Sequence, residues 1–132
     1  MTQYRISEAA RLLGVSDDTV RRWIEQGKLG TSTDAAGRAV VAGTELAALA
    51  QAVASATQDD PHASSARNRF VGLVTAIRAD TVMAQVDLQC GPFRVVSLMS
   101  AEAVRDLGLE VGSTAVAVVK ATTVIVEKER PR

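Results

Sequence analysis

Leu13-Gly14-Val15-Ser16-Asp17-Asp18-Thr19-Val20-Arg21-Arg22-Trp23-Ile24 decides the first half of the fold. Gly14 supplies a turn, and Ser16 can cap a new helix by accepting from the amides of its first turn. Val20, Trp23, Ile24 and Gly27 then recur at three- and four-residue spacing, so they share one helix side. Upstream, Ser7 precedes Glu8-Ala9-Ala10-Arg11-Leu12-Leu13, an N-cap followed by helix formers with an acid in the first turn. Ala9, Leu12 and Leu13 can pack against the apolar side of the second helix. Two short helices joined by a glycine-containing turn make a helix-turn-helix. Trp23 belongs to its core, while Ser16, Thr19, Arg22 and, on the flank, Arg21 face outward.

The periodicity changes after residues 57–64, a short polar stretch in which Pro61 blocks helix continuation. We place a linker there, between a domain at 1–56 and a second at 65–129. His62, the single histidine, falls in the linker and is assigned no role. Beyond it, Phe70 to Ile77 reads as a strand with a bulge or bend at Gly72. Val82-Met83-Ala84-Gln85-Val86-Asp87-Leu88-Gln89 alternates apolar and polar residues, the period of a half-buried strand. Gly91-Pro92 turns the chain into a third strand, Phe93 to Met99. Ala101 to Leu107 is a short helix with Ser100 as its cap and Gly108 as its end. Strands Ala115–Val119 and Thr123–Val126 complete a small barrel resembling an OB-fold. The fold class is therefore α+β, a mostly α winged helix-turn-helix followed by a small OB-like β-barrel.

Composition narrows the functions. Hydrophobic residues make up 47% of the 132 and aromatics 3%, so the cores must be aliphatic. Small aliphatic cores are marginal alone, and oligomerisation is a usual remedy. Fifteen basic residues balance fifteen acidic ones, so no global field marks a nucleic-acid binder and any DNA contact needs a local arrangement of charge. Cys90 stands alone, which excludes a disulfide framework and a thiolate metal site. No apolar run has the length of a membrane span, and the chain reads as cytoplasmic. The second half has no histidine beyond the linker, no Cys pair and no clustered carboxylates, so no enzyme chemistry is expected. It offers hydrogen-bond donors instead: Ser65, Arg67, Ser100, Lys120 and the amides around them. A tetrahedral oxyanion has only acceptors, so hydroxyls, N–H groups and cations satisfy it.

Two resemblances sharpen this. Ser65-Ala66-Arg67-Asn68, Val95-Val96-Ser97-Leu98-Met99-Ser100, Leu107-Gly108-Leu109-Glu110-Val111-Gly112 and Val119-Lys120-Ala121-Thr122 follow in order within residues 64–128. The set closely resembles the Mop (molbindin) domain of the TOBE class, small barrels that bind molybdate or tungstate. The resemblance implies a site made by Ser65, Arg67, Lys120 and Ala121 (through its amide), with Ser100 from a neighbouring subunit where the family usually has Thr. It implies an oxyanion ligand and no metal cation. It also implies a homo-oligomer, a dimer or hexamer of paired barrels. Asn68 is expected to tie down the local turn.

The first half, from Ile6-Ser7-Glu8-Ala9-Ala10 through Gly27-Lys28-Leu29, resembles the MerR/excisionase-like family over about residues 3–55. In that family the second helix enters the major groove and a hairpin wing follows. Here the wing would be Gly30 to Val41, turning near Asp34-Ala35-Ala36-Gly37. A third helix capped by Thr44 would carry Leu46, Leu49 and Val53 inward. Ser16, Thr19, Arg21, Arg22, Lys28 and Arg38 are the residues expected to contact double-stranded DNA. Arg38 is the only basic residue in the wing turn, where the family has a basic, His-containing one. Asp17 and Asp18 are expected to interact with the positive end of their helix. Three functions stay open on this reading. The first is a molybdate-responsive transcription regulator, the second a molybdate storage protein with a weak or vestigial DNA-binding domain. The third is a DNA-binding or architectural protein with a ligand-free barrel.

Overall fold

The computed structural model describes residues 2–57 and 64–129. The chain divides into two compact units, Met1–Pro61 and His62–Arg132. Most of the expected linker, His62 included, lies outside the described residues.

The first unit runs β1 (Gln3–Arg5), α1 (Ile6–Leu13), α2 (Asp17–Glu25), β2 (Ser32–Thr33), β3 (Ala39–Ala42) and α3 (Gly43–Thr57). Gly14 ends α1 in the left-handed region at φ 67°, where glycine carries no Cβ penalty. Ser16 caps α2, its Oγ accepting from the Thr19 N–H at 3.1 Å. Val20, Ala9, Leu29, Val41 and Leu46 form the buried core, with Trp23, Ile24 and Leu13 packed against it. The wing is present: β2 and β3 pair antiparallel, Thr33 opposite Ala39, across a turn at Asp34–Arg38.

Four expectations here are corrected. Helix α1 starts at Ile6, so Ser7 lies inside its first turn; Arg5 is the N-cap, and its N–H donates to Glu8 Oε1 at 3.2 Å. A glutamate three residues past the cap closes the helix start without a hydroxyl. Helix α3 starts at Gly43, one residue before Thr44, because the Gly43 N–H donates to Thr2 O at 2.9 Å and strand β3 passes directly into helix. Leu46 is buried and Leu49 packs on the core, but Val53 is 42% exposed, since the core ends a turn earlier. Leu12 is exposed as well. Strand β1, unforeseen, pairs with β3 (Tyr4 opposite Val41) and makes a three-stranded sheet of order β1-β3-β2.

The second unit is a curled antiparallel sheet of order β6-β5-β4-β7. Its elements are β4 (Asn68–Ala79), β5 (Met83–Cys90), β6 (Phe93–Ser100), α4 (Ala101–Leu107) and β7 (Thr114–Val119). The alternation in β5 is realised: Ala84, Val86, Leu88 and Cys90 are buried and join Val74 and Val104 in the core. Ser100 caps α4, accepting from the Ala103 N–H at 3.0 Å, and Gly108 ends it at φ 65°. The bulge in β4 falls at Val74/Ala76 and not at Gly72. Gly72 serves close approach: a Cβ there would lie 2.6 Å from Cys90 Sγ and 2.9 Å from Gln89 O.

The fifth strand does not form. Ala121–Thr123 is a single 3-10 turn and residues 124–129 carry no regular structure, so the sheet is an OB-like half-barrel. Thr123 explains this locally, its Oγ1–H and N–H both donating to Lys120 O, at 2.8 and 3.0 Å. Strands β6 and β7 are left as edges, and a cleft of about 690 Å³ is lined by both of them, with Val86 and Leu88 of β5 and Leu109 among its other walls.

Candidate functional site

Two groups of residues carry chemistry, one in each unit. In the second unit, β4 and β7 run antiparallel with Asn68 opposite Val119 and Arg69 opposite Val118. That register brings Ser65-Ala66-Arg67, just before β4, and Lys120-Ala121, just after β7, to the same end of one ribbon. The Asn68 Nδ2–H donates to Val119 O at 3.1 Å, locking this end across 51 positions of chain. The Ser64 Oγ accepts from the Ala66 N–H at 3.1 Å and shapes the approach. Ser65, Arg67 and Lys120 are exposed, and neither cation has a carboxylate within ion-pair distance among the described residues. Ala121 opens the 3-10 turn, so its N–H has no partner within that turn.

Ser100 sits elsewhere. It pairs with Met83 at the far end of β5, beside the place where Ala79 of β4 meets Ala84. Between Asn68 and Ala79 lies the whole of β4, roughly 35 Å of strand at about 3.3 Å per residue. A single chain therefore groups Ser65, Arg67, Lys120 and Ala121 and leaves Ser100 outside. The Ser100 Oγ accepts from Ala103, which leaves its O–H proton available to another acceptor. Among the described residues no three His, Cys, Asp or Glu side chains gather into a cation site.

Sequence reasoning did not find the ion pair behind this sheet. Asp87, only 9% exposed, accepts from Arg94 Nε and Nη2 at 2.9 and 2.7 Å and from Gln85 Nε2 at 3.1 Å. The Arg94 hydrogen bonds hold its carboxyl below the usual aspartate range, with Gln85 adding to the effect. An acid at the polar phase of an alternating strand was visible in the sequence. Its partner was fixed only by the β5–β6 register, in which Gln89 opposes Arg94.

In the first unit the outward residues of α2 are individually held. Ser16 Oγ and Thr19 Oγ1 are 3.0 Å apart, and Arg22 Nη2–H donates to Thr19 Oγ1 at 3.2 Å. Arg21 Nη1 instead pairs with Asp18 Oδ1 at 3.4 Å, a use of Asp18 beyond the helix end. In the wing, Asp34 accepts from the Ala36 and Arg38 N–H groups at 2.9 Å each and from Arg38 Nε at 3.2 Å. These amides, that of Arg38 first, lower the Asp34 pKa. Arg38 is thus clamped to an acid of its own turn. Arg11, Arg22 and Lys28 are exposed and have no carboxylate within ion-pair distance among the described residues.

Comparison with known proteins follows the same division. A TOBE domain model matches residues 64–126 and a helix-turn-helix domain model matches residues 4–53. A probable molybdenum-pterin-binding protein of Haemophilus influenzae is 44% identical over 66 residues, which are 49% of this chain and 96% of that protein. The chain belongs to the TOBE-domain family. Molybdenum-pterin-binding protein 3 of Clostridium pasteurianum is 38% identical over 63 residues, 47% of this chain and 93% of that one. A solved molybdate-binding protein from Sporomusa ovata is 33% identical, with a TM-score of 0.49, covering 51% of this chain and all of its own. About half of this chain thus spans nearly the whole length of each of these relatives. No helix among the described residues is long and apolar enough to cross a membrane.

Proposed function

We propose that this protein is a molybdate-responsive, DNA-binding transcription regulator. On this reading its head is MerR/excisionase-like and its TOBE unit binds molybdate or tungstate between subunits. The observation that carries the reading is the β4–β7 register, which gathers Arg67, Lys120 and the Ser65 hydroxyl with no acid among them. A dianionic tetrahedral oxyanion is satisfied by such a set, through charge-assisted hydrogen bonds from the two cations and neutral ones from hydroxyl and amide. Ser100 completes the shell from a second copy. The relatives' names, with molybdenum or molybdate as the bound species, support the ligand.

Assembly has its own support in the open half-barrel. Val124, Ile125 and Val126 are apolar and the last two are 87% and 88% exposed. The sheet also leaves two edge strands, β6 and β7, and an apolar cleft lined by both. Surfaces of this kind are buried when copies associate. We place the protein in the cytoplasm with duplex DNA as its macromolecular partner.

The test is calorimetric titration of the full chain with molybdate, tungstate and sulfate. The two larger anions should bind in preference to sulfate, and Arg67→Ala or Lys120→Ala should remove most of that binding. Unchanged titrations in both variants would reject the site. DNA binding is then measured with and without molybdate at fixed salt, and equal affinity in both would reject the regulatory step. The storage reading is favoured by one observation, the neutralisation of Arg21 by Asp18 and of Arg38 by Asp34. It predicts molybdate binding without detectable duplex binding.

A further inference from the structure

Helix α2 carries two adjacent arginines whose surroundings differ, and that difference divides their labour. Resting on the DNA-binding reading above, we propose that Arg22 reads a guanine edge in the major groove while Arg21 contacts only the phosphate backbone. Arg22 is held by a neutral acceptor. Its Nη2–H donates to Thr19 Oγ1 at 3.2 Å, and Thr19 Oγ1 is in turn 3.0 Å from the Ser16 Oγ that caps the helix. The hydroxyl pair fixes the side chain without cancelling its charge.

A guanidinium has five N–H donors, and this contact uses one of them. The end-on fork, one N–H from each Nη, remains free, and that fork matches the O6 and N7 acceptors of guanine. Ser16, Thr19 and Arg22 lie at i, i+3 and i+6 from the helix start, so they follow one another along the same side of α2. Arg22 itself stands in the last turn of α2, and its bond to Thr19 draws the guanidinium back toward the N-terminal part of the helix, where a recognition helix meets base edges. Fixing a flexible arginine before binding also reduces the rotamer entropy lost on contact.

Arg21 is placed differently. Its Nη1 is engaged by Asp18 Oδ1 at 3.4 Å, and both side chains are more than half exposed. A carboxylate beside a guanine O6/N7 edge would face two acceptors without donors of its own to offer. Arg21 therefore suits a phosphate, whose charge can displace Asp18 from it, and a phosphate contact carries no sequence information.

The experiment is selection of binding sites from a random duplex library by the full-length protein, followed by salt titration on the selected site. Wild type should show one half-site position fixed as G. Arg22→Lys keeps the charge and loses the fork; it should relax that position by about 5- to 150-fold with the salt slope unchanged. Thr19→Val should relax the same position, less strongly, because it only frees the arginine. Arg21→Ala should leave base preferences intact, weaken all sequences alike and reduce the salt slope by about 1. The proposal is overturned if wild type selects a site whose preferences survive Arg22→Lys, or if Arg21→Ala is the variant that relaxes a position. Absence of any duplex binding by wild type at low salt overturns it too, by removing the DNA-binding reading itself.

Discussion

Gly72→Ala tests whether close approach within the sheet, rather than a bend, is what a glycine provides in β4. The added Cβ would meet Cys90 Sγ at 2.6 Å and Gln89 O at 2.9 Å, both inside any tolerable contact. Overpacking of a well-filled core costs about 1–3 kcal/mol. Against this, alanine reduces the entropy of the unfolded chain and gains about 0.4–1 kcal/mol. The net expectation is a destabilisation of roughly 1–2 kcal/mol. For a unit of this size that lowers Tm by roughly 5–15 °C. The protein carries its own control, since its single tryptophan and single tyrosine, Trp23 and Tyr4, both lie in the first unit. Tryptophan fluorescence should melt as in wild type while the far-UV circular dichroism change from the β-rich unit moves down, at one fixed protein concentration. Adding Cys90→Ala should recover part of the loss by removing the Sγ contact, and the Gln89 backbone contact should keep recovery incomplete. If Gly72→Ala melts within 1 °C of wild type, the close-approach argument is wrong.

Three further outcomes are expected. Ser16→Ala removes the acceptor for the Thr19 N–H and should cost about 1 kcal/mol, read as a downward shift of the Trp23 fluorescence transition alone. Acid should destabilise the second unit through Asp87. Its folded pKa is depressed by Arg94, so its stabilisation is present above the ordinary aspartate range and is lost as pH falls below it. Asp87→Asn should flatten the fall in Tm between about pH 5 and pH 2, and an unchanged acid limb would exclude the pair as its source. Ile125→Asp places charge in an 87%-exposed apolar segment and should lower the assembly mass seen by light scattering, with circular dichroism retained.

Legibility in the sequence tracked the range of the interactions. The α1–turn–α2 unit, the Ser16 cap, the alternation of β5 and the Ser100/Gly108 ends of α4 rest on contacts a few residues apart, and those patterns could be read directly. Strand β1 has three residues and no period to detect, so its pairing with β3 appears only in three dimensions. Val124-Ile125-Val126 has strand-forming residues but no strand partner among the described residues, and the hydroxyl of Thr123 favours the turn before it. The motif residues of the second unit were legible as types. Their convergence depended on the Asn68–Val119 register, a pairing 51 positions apart. The wing clamp was half visible, an Asp four residues before an Arg across a turn, yet Asp34 is occupied mainly by backbone N–H groups that no side-chain pattern shows.

Charge bookkeeping in the first unit links the two halves. Arg5 and Arg38 are each paired with a nearby acid and Arg22 is assigned to a base edge, so Arg11, Lys28 and Arg21, which a phosphate draws away from Asp18, are the cations left to release counterions. Three phosphate-equivalent contacts give a logarithmic salt slope near −2.7, about a 40-fold loss of affinity between 50 and 200 mM salt. Two coupled heads double the slope to about −5.4 and the loss to about 2,000-fold. The steepness therefore counts the heads engaged, independently of the absolute affinity. If oxyanion binding in the TOBE unit joins copies of the chain, added molybdate should convert the shallow dependence into the steep one, because linkage transmits a ligand's preference for the assembled state to the DNA contacts. A slope that stays near −2.7 at saturating molybdate would mean that single heads bind, and assembly would then have no part in DNA recognition.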